Sequence, residues 1–115
     1  MKSYAIGILR DVAMGPPIVR YLERIDSTLA PYGGRFVIHG GDAQVLEGTS
    51  LGDVIVIEFP NRASAAQWYH SPAYQEILPL RVANATSTIL LLDGVDADHR
   101  ATDVLRRPLT AQEAA

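Results

Sequence analysis

Glu58 is the first residue in this chain that could handle a proton. It ends an apolar run, Asp53-Val54-Ile55-Val56-Ile57-Glu58-Phe59, and on a strand would share a face with Val54 and Val56. A carboxylate there without a charge partner is driven toward its neutral form by desolvation, and its raised pKa makes it a general base. The plainer reading ranks ahead: an ion pair with Arg81 or Arg35, or a strand-end carboxylate reaching water. His39 is the second candidate. Alternation places it with Arg35 and Val37 on one strand face, and an imidazole changes charge near neutrality. It serves equally well as a rim histidine bonded to a backbone carbonyl beside Gly40-Gly41. His70 lies beside a helix break and His99 in the tail, so the three histidines have no metal-ligand spacing.

Anion binding and the walls of a site come from other residues. Arg81 follows Pro79 and could hold an acid by a forked contact, or pair with Glu58 or Glu76. Arg35 is a second cation for the same purpose. Trp68 anchors a helix on a sheet, while Tyr69 or Tyr74 could turn a hydroxyl into a cavity. Ser71 precedes Pro72 and is most simply a helix cap; it lacks the setting of a nucleophilic serine. Gly33-Gly34 and Gly40-Gly41 read as turn and bulge, since neither has phosphate-loop spacing.

Composition narrows the partners. The chain has 115 residues, a net charge of -3 and no cysteine. That size suits one domain, the acidic balance argues against nucleic acid and anionic membrane, and thiol chemistry is excluded. No apolar run reaches membrane-spanning length. The expectation is a soluble, cytoplasmic protein that needs no cofactor. Haem stays open, because His39 or His70 could supply an axial ligand without readable spacing.

These residues need a scaffold to position them. Ser3 to Arg10 reads as a first strand. Pro16-Pro17 opens a helix whose Ile18, Leu22, Ile25 and Leu29 recur at helical spacing. Pro31 and Gly33-Gly34 stop it. Arg35 to Ile38 begins a second strand, which Gln44 to Glu47 could continue past the glycine pair. The apolar run is the third strand. Asn61 caps a short helix to His70, and Ser71-Pro72 restarts it, with Pro79 kinking or splitting the second piece. Thr86 to Asp93 is the fourth strand.

The order β-α-β-β-α-β is the ferredoxin-like α+β plan: an antiparallel four-stranded sheet with both helices on one face. The third strand is apolar on both faces, and the helices cover only one. The uncovered face would be a large apolar patch, so a homodimer with sheets face to face is expected. Residues 1–95 form the domain. Residues 96–115 are a charged tail, with Val104, Leu105 and Leu109 available to rest on a partner chain.

Several strings resemble a bacterial family known as domain of unknown function 1330. They are Glu58-Phe59-Pro60, Trp68-Tyr69 with Ser71-Pro72 and Tyr74-Gln75, Pro79 with Arg81, Asp93-Gly94-Val95, Gly33-Gly34-Arg35, Gly40-Gly41 and Glu47-Gly48. The resemblance covers residues 3 to 95. It implies a dimeric α/β barrel within a superfamily of cofactor-free monooxygenases, isomerases, cyclases and haem-handling enzymes. The chain departs from the family at Tyr32, where histidine is common, and in its tail.

Two functions follow. One is a small cofactor-free enzyme acting on a small aromatic or polyketide-like acid: Glu58 and His39 move protons, Arg81 holds the anion, and Trp68 and Tyr74 wall the site. The other is a homodimeric binding or assembly module without turnover. The enzyme reading needs Glu58 and His39 to converge on one cavity.

Overall fold

The computed structural model describes residues 1–106. Four antiparallel strands, β1 (Ser3–Arg10), β2 (Arg35–His39), β3 (Asp53–Phe59) and β4 (Thr86–Asp93), form one sheet in the order β2-β3-β1-β4. Helix α1 (Pro16–Leu29) crosses between β1 and β2. Helices α2 (Arg62–Tyr69) and α3 (Pro72–Val82) connect β3 to β4. This is the ferredoxin-like α+β architecture.

Local chemistry explains where the helices begin and end. Prolines at the first positions of α1 lose no hydrogen bond, because those N–H groups have no intrahelical partner. Asn61 Oδ1 accepts from the Ser64 N–H at 2.8 Å and starts α2. Ser71 Oγ accepts from the Tyr74 N–H at 3.3 Å and donates to the Trp68 carbonyl at 2.7 Å, joining the end of α2 to the start of α3. Of the kink or split expected at Pro79, the split does not occur: α3 runs through it to Val82. Beyond α1 the chain turns tightly under Phe59. A side chain on Gly34 would put its Cβ 2.6 Å from the Phe59 ring, so only glycine fits.

Ile57 and Phe59 of β3, with Ala5 of β1, are buried under the helices, and Ile55 is half-buried on the same side. Ile18, Ile25 and Leu29 of α1 meet them, together with Tyr21 and Thr28. Leu22, expected on that stripe, lies at its margin, 41% exposed but facing the space between helix and sheet. Trp68 and Tyr74 complete the core with ring centroids 4.2 Å apart, and Trp68 Nε1 donates to Thr28 Oγ1 at 3.0 Å.

The opposite sheet face has no cover among the described residues. Val54, Leu90 and Leu92 are exposed there beside half-buried Tyr4, Ile6 and Val56. The Gln44 to Glu47 continuation of β2 is not a strand; residues 40–52 are a loop. β3 begins at Asp53, only two residues before Ile55, the partner of His39, so no strand runs alongside such an extension. In the tail, Ala101–Arg106 forms a short 3-10 helix with Val104 and Leu105 exposed. Leu109 lies outside the described residues. No described helix is long and apolar enough to cross a membrane.

Candidate functional site

A cavity of about 80 Å³ lies between the sheet and the helices. Its floor is made by small residues, Ala5 and Gly7 of β1, with Ile57 beside them. Larger side chains at Ala5 and Gly7 would fill it. Helix α1 contributes Ile18 and Tyr21, and α3 contributes Tyr74 and Arg81.

Arg81 is the unusual group. It is only 3% exposed, and among the described residues it has no carboxylate partner. Its Nη2 makes a long 3.5 Å contact with the Tyr74 hydroxyl, and its buried Nε has no partner. The guanidinium carbon lies 5.9 Å from the centre of the Tyr21 ring, within cation–π range. The Tyr21 and Tyr74 hydroxyls are 2.7 Å apart. Burial pushes the Tyr21 hydroxyl far above the ordinary phenol range, helped by Tyr74. Burial works against the Arg81 cation, but the Tyr74 and Tyr21 oxygens more than offset it and the guanidinium stays charged.

His39 reaches this cavity by a route that simple alternation misses. Arg35 opposes Glu58 and Phe36 opposes Ile57, but the register then shifts, so Ile38 opposes Val56 and His39 opposes Ile55. Val37 is the extra residue of a β-bulge. His39 is therefore not on the face of Arg35 and Val37, as expected, but on the helix side. Its ring stacks on Phe36 at 4.3 Å and it lines the cavity.

Glu58 is on the other side of the sheet. Its Oε1 accepts from Lys2 Nζ at 3.1 Å and from Arg35 Nε at 3.2 Å. The Lys2 hydrogen bond, with the Arg35 charge behind it, holds the carboxyl below the ordinary glutamate range despite partial desolvation. Of the two ion pairs offered as the plainer reading of Glu58, the one with Arg35 is present and the one with Arg81 is not. Glu76 pairs with Arg24 at 3.3 Å, also not with Arg81.

The structure thus brings Arg81, Tyr74, Trp68 and His39 to one cavity and leaves Glu58 and Arg35 on the open sheet face. Tyr69 packs edge-on against Trp68 and is not a wall of the cavity. Ser71 is buried in its capping role. Sequence reading missed Tyr21, although a signal was present. Tyr21 stands three residues after Ile18 and four before Ile25, on the buried stripe of an amphipathic helix.

No curated protein matches the chain in sequence. Solved structures resemble it in fold. RPA0582, a protein of unknown function from Rhodopseudomonas palustris, is 20% identical, with a TM-score of 0.65 over 83% of each chain. A dimeric ferredoxin-like protein of unknown function from Jannaschia sp. CCS1 is 17% identical, with a TM-score of 0.58 over 82% of this chain and 100% of that one. A variant of SnoaB, a cofactor-independent oxygenase from Streptomyces nogalater, is 14% identical, with a TM-score of 0.54 over 86% of this chain and 98% of that one. At these identities the likeness carries the fold alone, that of the dimeric α/β-barrel proteins. The domain of unknown function DUF1330 matches residues 2–95, the whole of the sheet-and-helix unit, and the chain belongs to that family.

Proposed function

We propose that this protein is a cytoplasmic homodimer that binds a small organic acid between its sheet and helices, with His39 available to move a proton on the bound molecule. Aromatic, polyketide-like and short aliphatic acids all belong to this class. Arg81 carries the reading. A cation taken out of water is costly unless an anion or hydrogen-bond acceptors compensate it, and Arg81 is buried in the wall of an apolar cavity with only phenol groups beside it. An acid entering the cavity supplies the missing negative charge. The exposed apolar sheet face supports the dimer, and the dimeric protein from Jannaschia shares the fold.

Thermal-shift measurements with a panel of small aliphatic and aromatic acids test the pocket. At least one acid should raise the Tm of the wild type and fail to raise that of Ala5→Leu, which fills the floor. A panel without effect on the wild type removes the proposal.

The second reading, binding without turnover, is favoured by the placement of Glu58. It is ion-paired on the far sheet face and cannot share a cavity with His39. Exchange of the acid's α-protons in D2O, followed by NMR, separates the two. Exchange that is fast with wild type and lost in His39→Gln supports an enzyme; tight binding without exchange supports a binding module.

A further inference from the structure

We infer that the polar end of this pocket is a carboxylate site, built on the Nε–Nη2 edge of Arg81 with the Tyr21–Tyr74 hydroxyl pair, and that its ligand is a short aliphatic monocarboxylate. The inference rests on the pocket reading above and narrows it.

The first argument counts donors and acceptors. Arg81 offers five N–H donors and no acceptor, and each tyrosine offers one O–H donor. The acceptors within the cluster are the two hydroxyl oxygens. If Tyr21 donates to Tyr74 across their 2.7 Å contact, the Tyr74 oxygen also receives Arg81 Nη2 at 3.5 Å, and the Tyr74 proton is left over. Arg81 Nε is left over as well. Buried donors without acceptors are costly, and a carboxylate brings acceptors with no further donor.

Shape and charge sharpen this. Nε–H and Nη2–H project from the same edge of the guanidinium plane, which matches the two oxygens of a planar carboxylate. Nε is uncommitted and Nη2 only weakly engaged. Arg81 is the one permanently charged cation lining the cavity among the described residues. A singly charged ligand therefore neutralises the site, whereas a phosphate dianion leaves an excess buried charge.

Size sets the rest of the molecule. An engineered apolar cavity of about 150 Å³ takes benzene, and this cavity is about 80 Å³. Its sheltered volume fits a short chain better than a ring. Ala5, Gly7, Ile18 and Ile57 offer the chain no side-chain hydrogen bond.

Titration calorimetry at neutral pH with butyrate, butyramide, benzoate and inorganic phosphate tests the assignment. Butyrate should bind about tenfold or more tighter than each of the others, given a charge-assisted forked contact. Arg81→Lys, shown folded by circular dichroism, should lose about tenfold because a lysine cannot fork. Tyr21→Phe should weaken butyrate by several-fold at most, since it removes a neutral hydrogen bond. A direct readout on the wild type covers the case in which Arg81→Lys does not fold. With 15N-arginine labelling, the Arg81 Nε–H resonance should move with butyrate and stay still with butyramide. Butyramide binding as tightly as butyrate, unchanged affinity in folded Arg81→Lys, or a still Nε–H resonance with bound butyrate overturns the carboxylate site. Preference for benzoate or phosphate overturns the short-acid assignment, while benzoate binding that Arg81→Lys weakens leaves the acid pocket standing. No binding by any acid removes both.

Discussion

At the scale of single residues, environment decides what an ionisable group does. In the sequence both Glu58 and Arg81 have candidate charge partners. Glu58 has two, Lys2 and Arg35, while Arg81 has none among the described residues. A pH prediction follows for Glu58. Its folded pKa lies below the ordinary value of 4.5, so the unfolded state binds more protons in that window and stability rises with pH across it. The contribution is complete above about 4.5 and is lost as pH falls through the lowered folded value. Urea denaturation from pH 6 to 3 should show wild type losing more stability on acidification than Glu58→Gln. Parallel curves would dismiss the ion pairs as a source of stability. Asp93, held low by Arg62 and then by Ser3, contributes with the same sign. Trp68 is a packing residue by the same kind of evidence, being almost fully buried against Phe59 and Tyr74. Trp68→Ala should cost about 3–5 kcal/mol of unfolding free energy in urea titration, while Trp68→Phe, which keeps an aromatic body and loses the bond to Thr28, should cost far less.

At the scale of elements, β2 is the instructive case. Alternation along Arg35, Val37 and His39 is a sound rule for an unbroken ladder. A single extra residue inverts it for everything that follows. Nothing local in Phe36-Val37-Ile38 marks the bulge, since all three are good strand residues. The glycine pair suggested a bulge nearby; instead it closes the strand, with Gly40 in a left-handed conformation and its N–H donating to the Val54 carbonyl at 2.9 Å. Because Val37 is the unpaired residue, its deletion should leave Phe36 opposite Ile57 and Ile38 opposite Val56. Nuclear Overhauser contacts between the Phe36 and His39 rings should survive in that variant, and their loss would show that the bulge is not centred on Val37. The helices were more legible. Caps at Asn61 and Ser71 and prolines at 16, 17 and 72 act locally, and local signals are visible in a sequence.

At the scale of the whole molecule, the open sheet face is the surface on which the proposed dimer rests. Ile6 and Leu90 are cross-strand neighbours at its centre, flanked by Val54, Val56 and Leu92. A charge there must be desolvated if a second sheet covers it. Leu90→Glu should therefore convert the proposed dimer to a monomer in sedimentation at micromolar concentration, with a lower Tm. The wild-type Tm should rise with protein concentration, as mass action requires for a dimer. A wild type that sediments as a monomer would remove the face-to-face assembly and leave the acid pocket untouched, because that pocket lies on the opposite side of the sheet.

The order of elements, the two-sided greasiness of β3 and the caps of its helices were written in this chain's own residues, because each depends on neighbours a few positions apart. The cavity was not, because it arises where Ala5, Tyr21, His39, Tyr74 and Arg81 meet, and they are separated by many residues in the chain. Whether an arginine is buried without a counter-charge, or a histidine looks inward, depends on strand register and helix packing. Those are set by the summed burial of the core, which no local window of sequence contains.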